Sequence, residues 1–309
     1  MLDKASRLLK EGTPFLIITD FEAEQVLVYT DDELHNEDID FSFSSTTTTL
    51  KTPFQKKPIS YEQYKKGFDK IIEKIKAGET YLLNYTCSTP INTPLTLHEI
   101  YNHAHAKFKL RFKNKFVCYS PEPFISIKGN TISTFPMKGT IDADVKDAKK
   151  KILANEKEMA EHVMVVDLLR NDLGIVATEV KVKKFRYIET LETNDKKLLQ
   201  VSSEITATLP SNWRDDFGTL YHSLLPAGSI SGTPKRSTLK IIKEVEEHQR
   251  DFFSGTFGYF NGQSFESAVM IRFIQQTQAG LVYKSGGGIT LDSNAKEEYQ
   301  EMQDKIYLP

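Results

Sequence analysis

Residues 255–288 read GTFGYFNGQSFESAVMIRFIQQTQAGLVYKSGGG. Strand-like runs GTFGYF, SAVMIRFIQQT and GLVYKSGG follow one another here with only short turns between them. Strands joined so closely pair antiparallel, because a parallel partner needs a crossover of a dozen or more residues. The pattern recurs upstream. PFLIITDFEAEQVLVY (14–29) is two short strands about a polar turn, and YLLNYTCS (81–88), FVCYS (116–120), FISIKG (124–129), TISTFPM (131–137) and VSSEITATL (201–209) are strand-like, most with a β-branched or aromatic bias. Between the first two of these groups, residues 31–53 turn acidic and then Ser/Thr-rich, which predicts a loop or ordered excursion.

Helices are fewer. The segment 60–80, SYEQYKKGFDKIIEKIKAGET, sets Tyr64, Phe68, Ile71, Ile72 and Ile75 on one face, with Ser60 to cap its start and Gly78 to end it. Others are expected over 148–170, after Pro234, and near the C-terminus, where Asn294 with Glu297 reads as a capping box. No repeat of fixed period is visible, so the predicted class is α+β with much sheet.

Composition narrows the function. The 309 residues carry 40 Lys plus Arg against 42 Asp plus Glu, a formal net charge of −2, with 39% hydrophobic and 27% charged residues. That is a soluble globular chain rather than a disordered one, and its near-neutral balance disfavours nucleic acid, which selects a basic stripe. Length alone suggests two domains at roughly 100 to 200 residues each, although large sheet-containing enzymes often run as one unit. MLDKASRLLKEG lacks the apolar run of a secretory signal, and no stretch nears the roughly 18 apolar residues of a membrane span. A cytoplasmic protein with a small-molecule partner is expected. Cys87 and Cys118 have neither CxxC spacing nor a nearby His pair, and read as buried free thiols.

Chemistry could reside in four places. PAGSISGTPKRSTLKIIKEVE (226–246) puts Gly228 and Gly232 in a loop, Thr233 at the N-cap and Pro234 at the first helical position, which would make an anion site with Lys235 adding charge; an ordinary loop-to-helix junction reads the same way. GLVYKSGGGI (280–289) would let backbone N–H groups approach a ligand, or it is a simple turn. Two acidic segments hold Glu158 with Glu161 and Glu298 with Glu301, each pair three apart on one helix face, where a carboxylate from each helix could clamp magnesium unless both are merely solvated faces. His162, beside Glu161, reads as a polar helix residue. Finally, PMKGTIDAD (136–144) sets Lys138 beside Gly139, with Glu122 upstream in YSPEPF. In a partly dry cavity that lysine's pKa would fall enough for it to act as nucleophile or base, though a surface lysine is the ordinary alternative.

Together GETYLLN, SPEPF, PMKGT, AEHVMVVDLLRNDLG, PAGSISGTPK, GTFGYF, AVMIRF, GGGI and DSNAKEEYQEMQDK resemble, in order over residues 60–306, the chorismate-utilising enzymes. The resemblance implies an α+β catalytic domain spanning 1–309, with 1–59 a short strand and loop subregion, and two large antiparallel sheets packed together with helices outside. It implies chorismate and Mg2+, with Glu161 and Glu301 as ligands and Glu158 and Glu298 close by. Arg272 and the backbone at Gly287 and Gly288 would hold a substrate carboxylate. Gly228, Ser229, Gly232, Thr233, Lys235 and Thr140 would complete the substrate site, and Glu122 would be the general acid that protonates the departing C4 hydroxyl.

Within the family the chain looks most like aminodeoxychorismate synthase component I, which carries a lysine where Lys138 stands; anthranilate and isochorismate synthases usually have alanine there. Isochorismate and salicylate synthases place a lysine base where this chain has Leu82, which cannot activate water. Phe253 stands about where anthranilate synthases have tyrosine, the region before Ser60 is short, and the LLES-type tryptophan motif is not visible. The expected reaction is amination of chorismate at C4, with ammonia from a separate glutamine amidotransferase subunit. Anthranilate synthase component I and a non-catalytic scaffold for a glutaminase are the alternatives.

Overall fold

A computed structural model describes residues 1–44, 52–192 and 197–308. Among them every strand pairing is antiparallel, in two large sheets. The nine-stranded sheet runs Met137–Asp142, Lys197–Thr208, Thr131–Thr134, Pro123–Lys128, Ser264–Val269, Thr256–Phe260, Phe15–Thr19, Val26–Thr30, with Thr178–Glu192 also on Lys197–Thr208. The eight-stranded sheet runs Gly232–Thr233, Leu82–Asn92, Gly280–Ile289, Phe273–Thr277, Phe116–Ser120, Phe108–Phe112, Ile39–Ser42, with Gln55–Lys56 on Leu82–Asn92. Helices cover the outside, as expected, and no helix among the described residues is long and apolar enough to cross a membrane.

The stretch expected as one strand, SAVMIRFIQQT, is two. Ser264–Val269 lies in the nine-stranded sheet and Phe273–Thr277 in the other, because Arg272 takes a left-handed φ of 52° that breaks the extended run. A second segment makes the same passage, from Phe116–Ser120 through Pro121 and Glu122 to Pro123–Lys128. The two crossings are bonded to each other: Tyr119 N–H donates to the Arg272 carbonyl at 3.2 Å, and Val269 N–H to that of Glu122 at 3.1 Å. Glu122 and Arg272 therefore sit where the sheets exchange chain.

Ser60 caps the helix Tyr61–Lys76 by accepting from Gln63 N–H at 3.2 Å; Tyr64, Phe68, Ile71 and Ile75 are buried, and Ile72 half-buried. The helix expected over 148–170 is instead Ala148–Ala154 and Glu156–Val176, since the Asn155 side chain accepts from Glu158 N–H at 3.1 Å and starts a new helix. A further helix, Leu2–Glu11, was not foreseen; it buries Ala5, Leu8 and Leu9, and Ser6 accepts from the Gly218 N–H. The acidic excursion is ordered as the helix Asp31–Leu34 and strand Ile39–Ser42, while its 45–51 portion lies outside the described residues. Pro234, not Thr233, is the N-cap of Lys235–Val245, because Thr233 is taken up in strand pairing with Leu82. Asn294 caps the last helix, Ala295–Asp304, accepting from Lys296 and Glu297 N–H.

A buried ion pair ties the end of the helix Lys235–Val245 to the strand Leu82–Asn92 and to the short helix Gly228–Ser231. Arg250 donates to both Glu246 oxygens at 2.9 and 2.7 Å, to the Ile230 carbonyl at 2.9 Å and to that of Asn84 at 2.6 Å. Glu246 also accepts from Thr86 N–H and hydroxyl, both at 2.8 Å. Breaking such a pair from one side leaves a buried charge uncompensated. Arg250→Met should cost about 3 to 5 kcal/mol in urea unfolding, and Arg250→Met combined with Glu246→Gln, which keeps an acceptor for Thr86 but removes the charge, should cost less.

Candidate active site

A cavity of about 1080 Å³ and a smaller one of about 210 Å³ share a wall that includes Lys138, Thr140, Arg272, Gly288, Glu301 and Lys305. The strand Met137–Asp142 supplies two of these. Its register with Lys197–Thr208 slips between Met137, opposite Ser202, and Thr140, opposite Gln200. Lys138 and Gly139 thus face the single Val201 in a bulge, and Gly139 accepts the positive φ of 83° that the bulge requires. The bulge points Lys138 across to the eight-stranded sheet. A Cβ on Gly288 would lie 3.5 Å from Lys138 Nζ and 3.1 Å from Leu82 Cδ1, so the missing side chain keeps this space open.

The lysine's electrostatics differ from the expectation. Desolvation does pull its ammonium down, but Glu161, at 3.0 Å, with Glu301 and Glu158, outweighs that and holds its pKa above the usual lysine value. In this arrangement Lys138 is protonated.

Glu122 lines the smaller cavity. Burial raises its pKa, opposed by a hydrogen bond from Ser229 Oγ at 2.5 Å and by the charges of Arg272, Lys138 and Lys305. A carboxyl held above the usual range is suited to deliver a proton. Arg272 lines both cavities, and its Nε donates to the Tyr307 hydroxyl at 3.2 Å.

The helices Glu156–Val176 and Ala295–Asp304 bring Glu158, Glu161, Glu298 and Glu301 to the larger cavity. Ser293 Oγ donates to Glu298 at 2.9 Å and Lys305 pairs with Glu301 at 2.7 Å. A Cβ on Gly287 would lie 3.5 Å from Glu298 Oε2 and 3.7 Å from Glu301 Oε1, and one on Gly139 would lie 3.2 Å from Glu158 Oε2, so glycines leave room in front of the carboxylates. An all-oxygen donor set suits magnesium, which takes few protein ligands and fills its shell with water and substrate. Among the described residues no three such groups gather closely enough to hold a metal on their own.

The loop at 226–246 divides. Ser229 and Gly232 line the smaller cavity; Gly228, Thr233 and Lys235 line neither. Gly228 abuts the helix Glu156–Val176, where a Cβ would meet Asp172 Oδ2 at 2.8 Å. Lys235 donates to Asp172 Oδ1 at 3.0 Å and the Leu224 carbonyl at 3.3 Å, so its charge is spent within the fold and the expected anion site at this helix start is not part of the cavities. His162 is buried against Ser203 at 2.7 Å, with its pKa lowered by burial to about 4. Cys87 and Cys118 are free buried thiols, and burial pushes Cys87 up to about 12. Unforeseen in the sequence were Lys305, Gln200, Tyr119 and Tyr307, all on the larger cavity. Lys305 alone had a signal, four residues beyond Glu301 on one helical face.

Comparison with known proteins identifies the family. Residues 15–308 match the sequence profile of the chorismate binding enzymes. An uncharacterised PabA-like protein of Haemophilus influenzae is 42% identical over 314 aligned residues, covering 100% of this chain and 96% of that one. Aminodeoxychorismate synthase component 1 of Bacillus subtilis is 31% identical across 78% of this chain, which spans 54% of the relative's length. The menaquinone-specific isochorismate synthase of Escherichia coli shares the fold, with a TM-score of 0.74 at 17% identity over 98% of this chain and 81% of its own. By its profile, its relatives and the two-sheet fold that carries the cavity, the chain belongs to the chorismate binding enzymes.

Proposed function

We propose that this chain is the aminating component of aminodeoxychorismate synthase, converting chorismate and ammonia to 4-amino-4-deoxychorismate and water. One observation carries the assignment: Lys138, aimed by its bulge at the wall shared by the two cavities, faces Gly288 beside the apolar Leu82, with the protonatable Glu122 on the same smaller cavity. An amine nucleophile and a general acid are present, and no base stands at Leu82 to activate water for addition at C2. The relative named aminodeoxychorismate synthase component 1 in Bacillus subtilis gives further support.

In this scheme the neutral Lys138 amine adds to chorismate C2 while the double bond shifts and the C4 hydroxyl departs with a proton from Glu122, as water. Ammonia then adds at C4 as the double bond shifts back and the C2–lysine bond breaks to return the neutral amine, and the new C4 ammonium returns a proton to Glu122. Arg272 and the Gly287–Gly288 backbone hold a substrate carboxylate, and Thr140, Ser229 and Gly232 surround the reacting ring. Glu161 and Glu301, with Glu158 and Glu298 beside them, would hold magnesium, which would supply positive charge for a substrate carboxylate; Glu161 so engaged would no longer hold Lys138 protonated. The ammonia would come from a separate cytoplasmic glutamine amidotransferase.

Lys138→Ala should abolish formation of the aminated product, followed by mass after incubation with chorismate, magnesium and ammonium salt, while the variant stays folded by circular dichroism. Undiminished turnover at saturating ammonia would exclude the covalent role, and anthranilate as the product would move the chain to anthranilate synthase.

Ser229→Ala tests the acid. The Ser229 hydrogen bond stabilises the ionised form of Glu122, so its loss raises that pKa further. Acid catalysis needs the protonated form and fails as pH rises through the pKa, so the alkaline limb of kcat/KM should move to higher pH in the variant. An unmoved limb would separate Ser229 from the acid.

Metal and substrate should bind with positive, reciprocal coupling, because several like charges share the carboxylate site. Calorimetric titration of chorismate should show tighter binding with magnesium than without, and Glu301→Ala should flatten that difference whereas Glu33→Ala should not. Equal affinity in both conditions would take magnesium away from these helices.

A further inference from the structure

The segment following the last helix runs along the larger cavity, and its Tyr307 grips Arg272 in two ways. The Arg272 Nε donates to the Tyr307 hydroxyl at 3.2 Å, and the guanidinium carbon lies 5.7 Å from the centre of the ring. The tyrosine is itself anchored. Its carbonyl accepts from the hydroxyl of the buried Tyr119, whose oxygen lies 3.4 Å from that of the buried Tyr283, and the Tyr119 and Tyr307 rings meet edge to face at 5.9 Å.

Arg272 makes no ion pair among the described residues, although it lines both cavities. A guanidinium that faces a cavity with no carboxylate in ion-pair contact is matched by an anion from outside. With Nε engaged, its two terminal nitrogens form the remaining edge, the one that pairs with a carboxylate fork to fork. The Tyr307 oxygen accepts from Nε, so its own O–H is a donor to a second acceptor. An arginine left to wander among rotamers would lose part of its binding in being ordered, and a ring and a hydroxyl that fix it beforehand remove that loss.

We propose that Tyr307 is a positioning residue for Arg272: it fixes the guanidinium so that the terminal edge takes a substrate carboxylate, and offers its hydroxyl to the same anion. The proposal rests on the reading that Arg272 binds a carboxylate of chorismate.

Titration of chorismate into the full chain, with magnesium and without ammonia, measures this without turnover. Tyr307→Phe removes only the hydroxyl and should weaken chorismate binding about tenfold, the usual worth of a hydrogen bond to a charged group. Tyr307→Ala, which also removes the ring from the guanidinium, should weaken it further. Tyr119→Phe, which loosens only the backbone anchor, should weaken it less. In an Arg272→Ala background Tyr307→Phe should have less than about a twofold effect, since two residues acting as one unit are not additive. In turnover, Tyr307→Phe should raise KM and leave kcat nearly unchanged. Equal affinity for the parent and Tyr307→Phe would overturn the proposal, and so would a full tenfold effect persisting without Arg272. Unchanged affinity in Arg272→Ala would overturn the underlying reading of the chorismate site and the proposal with it.

Discussion

The two hydrogen bonds between the sheet crossings, Tyr119 N–H to Arg272 and Val269 N–H to Glu122, set the conditions for everything around them. A strand that stays in one sheet offers its side chains to that sheet's two faces only. At a crossing the backbone leaves one ladder before it enters the other. Pairing two crossings satisfies backbone groups that would otherwise be stranded, and it fixes an acid and a guanidinium from separate parts of the sequence beside each other's backbone. The left-handed turn at Arg272 belongs to the same construction, because it ends one strand and starts the next within three residues, Met270 to Arg272.

Around that fixed point the charges are arranged as alternating partners. Lys138 answers Glu161 and Lys305 answers Glu301, while Arg272 is answered by tyrosines and an open cavity. Glycines at 139, 287 and 288 keep the spaces between these groups clear. The protein therefore tolerates a dense acidic wall by setting ammonium groups against it. The same pairing holds the Lys138 ammonium protonated.

Much of this was legible in the sequence, for identifiable reasons. Closely spaced strands with short turns gave the antiparallel class, and the 3.6-residue spacing of Tyr64, Phe68, Ile71 and Ile75 gave a helix that Ser60 does cap. Lys138, Glu122, Arg272 and the four acidic residues do meet on the cavities. What was not legible depended on tertiary context. The run through Met270 and Arg272 is uniformly strand-like, and only the fold reveals that it changes sheets. Asn155 divides the helix expected over 148–170 through a side-chain cap that only the folded backbone reveals. The charge of Lys235 looked available, yet Asp172, distant in sequence, claims it. The direction of the Lys138 shift turned on a balance between burial and carboxylates that spacing cannot weigh.

The pairing of Phe15–Thr19, next to the edge strand of the nine-stranded sheet, with Thr256–Phe260 has a consequence for how the chain is made. Thr19 and Thr256, whose hydroxyls meet at 2.8 Å, are 237 positions apart. On a ribosome the first strand emerges long before its neighbour exists, and its apolar, fully buried residues must wait with one edge open. A topology so rich in distant partners folds slowly and only when nearly all of it is present. Cellular yield of this enzyme should therefore depend on what shields that early hairpin during synthesis, independently of how stable the finished molecule is.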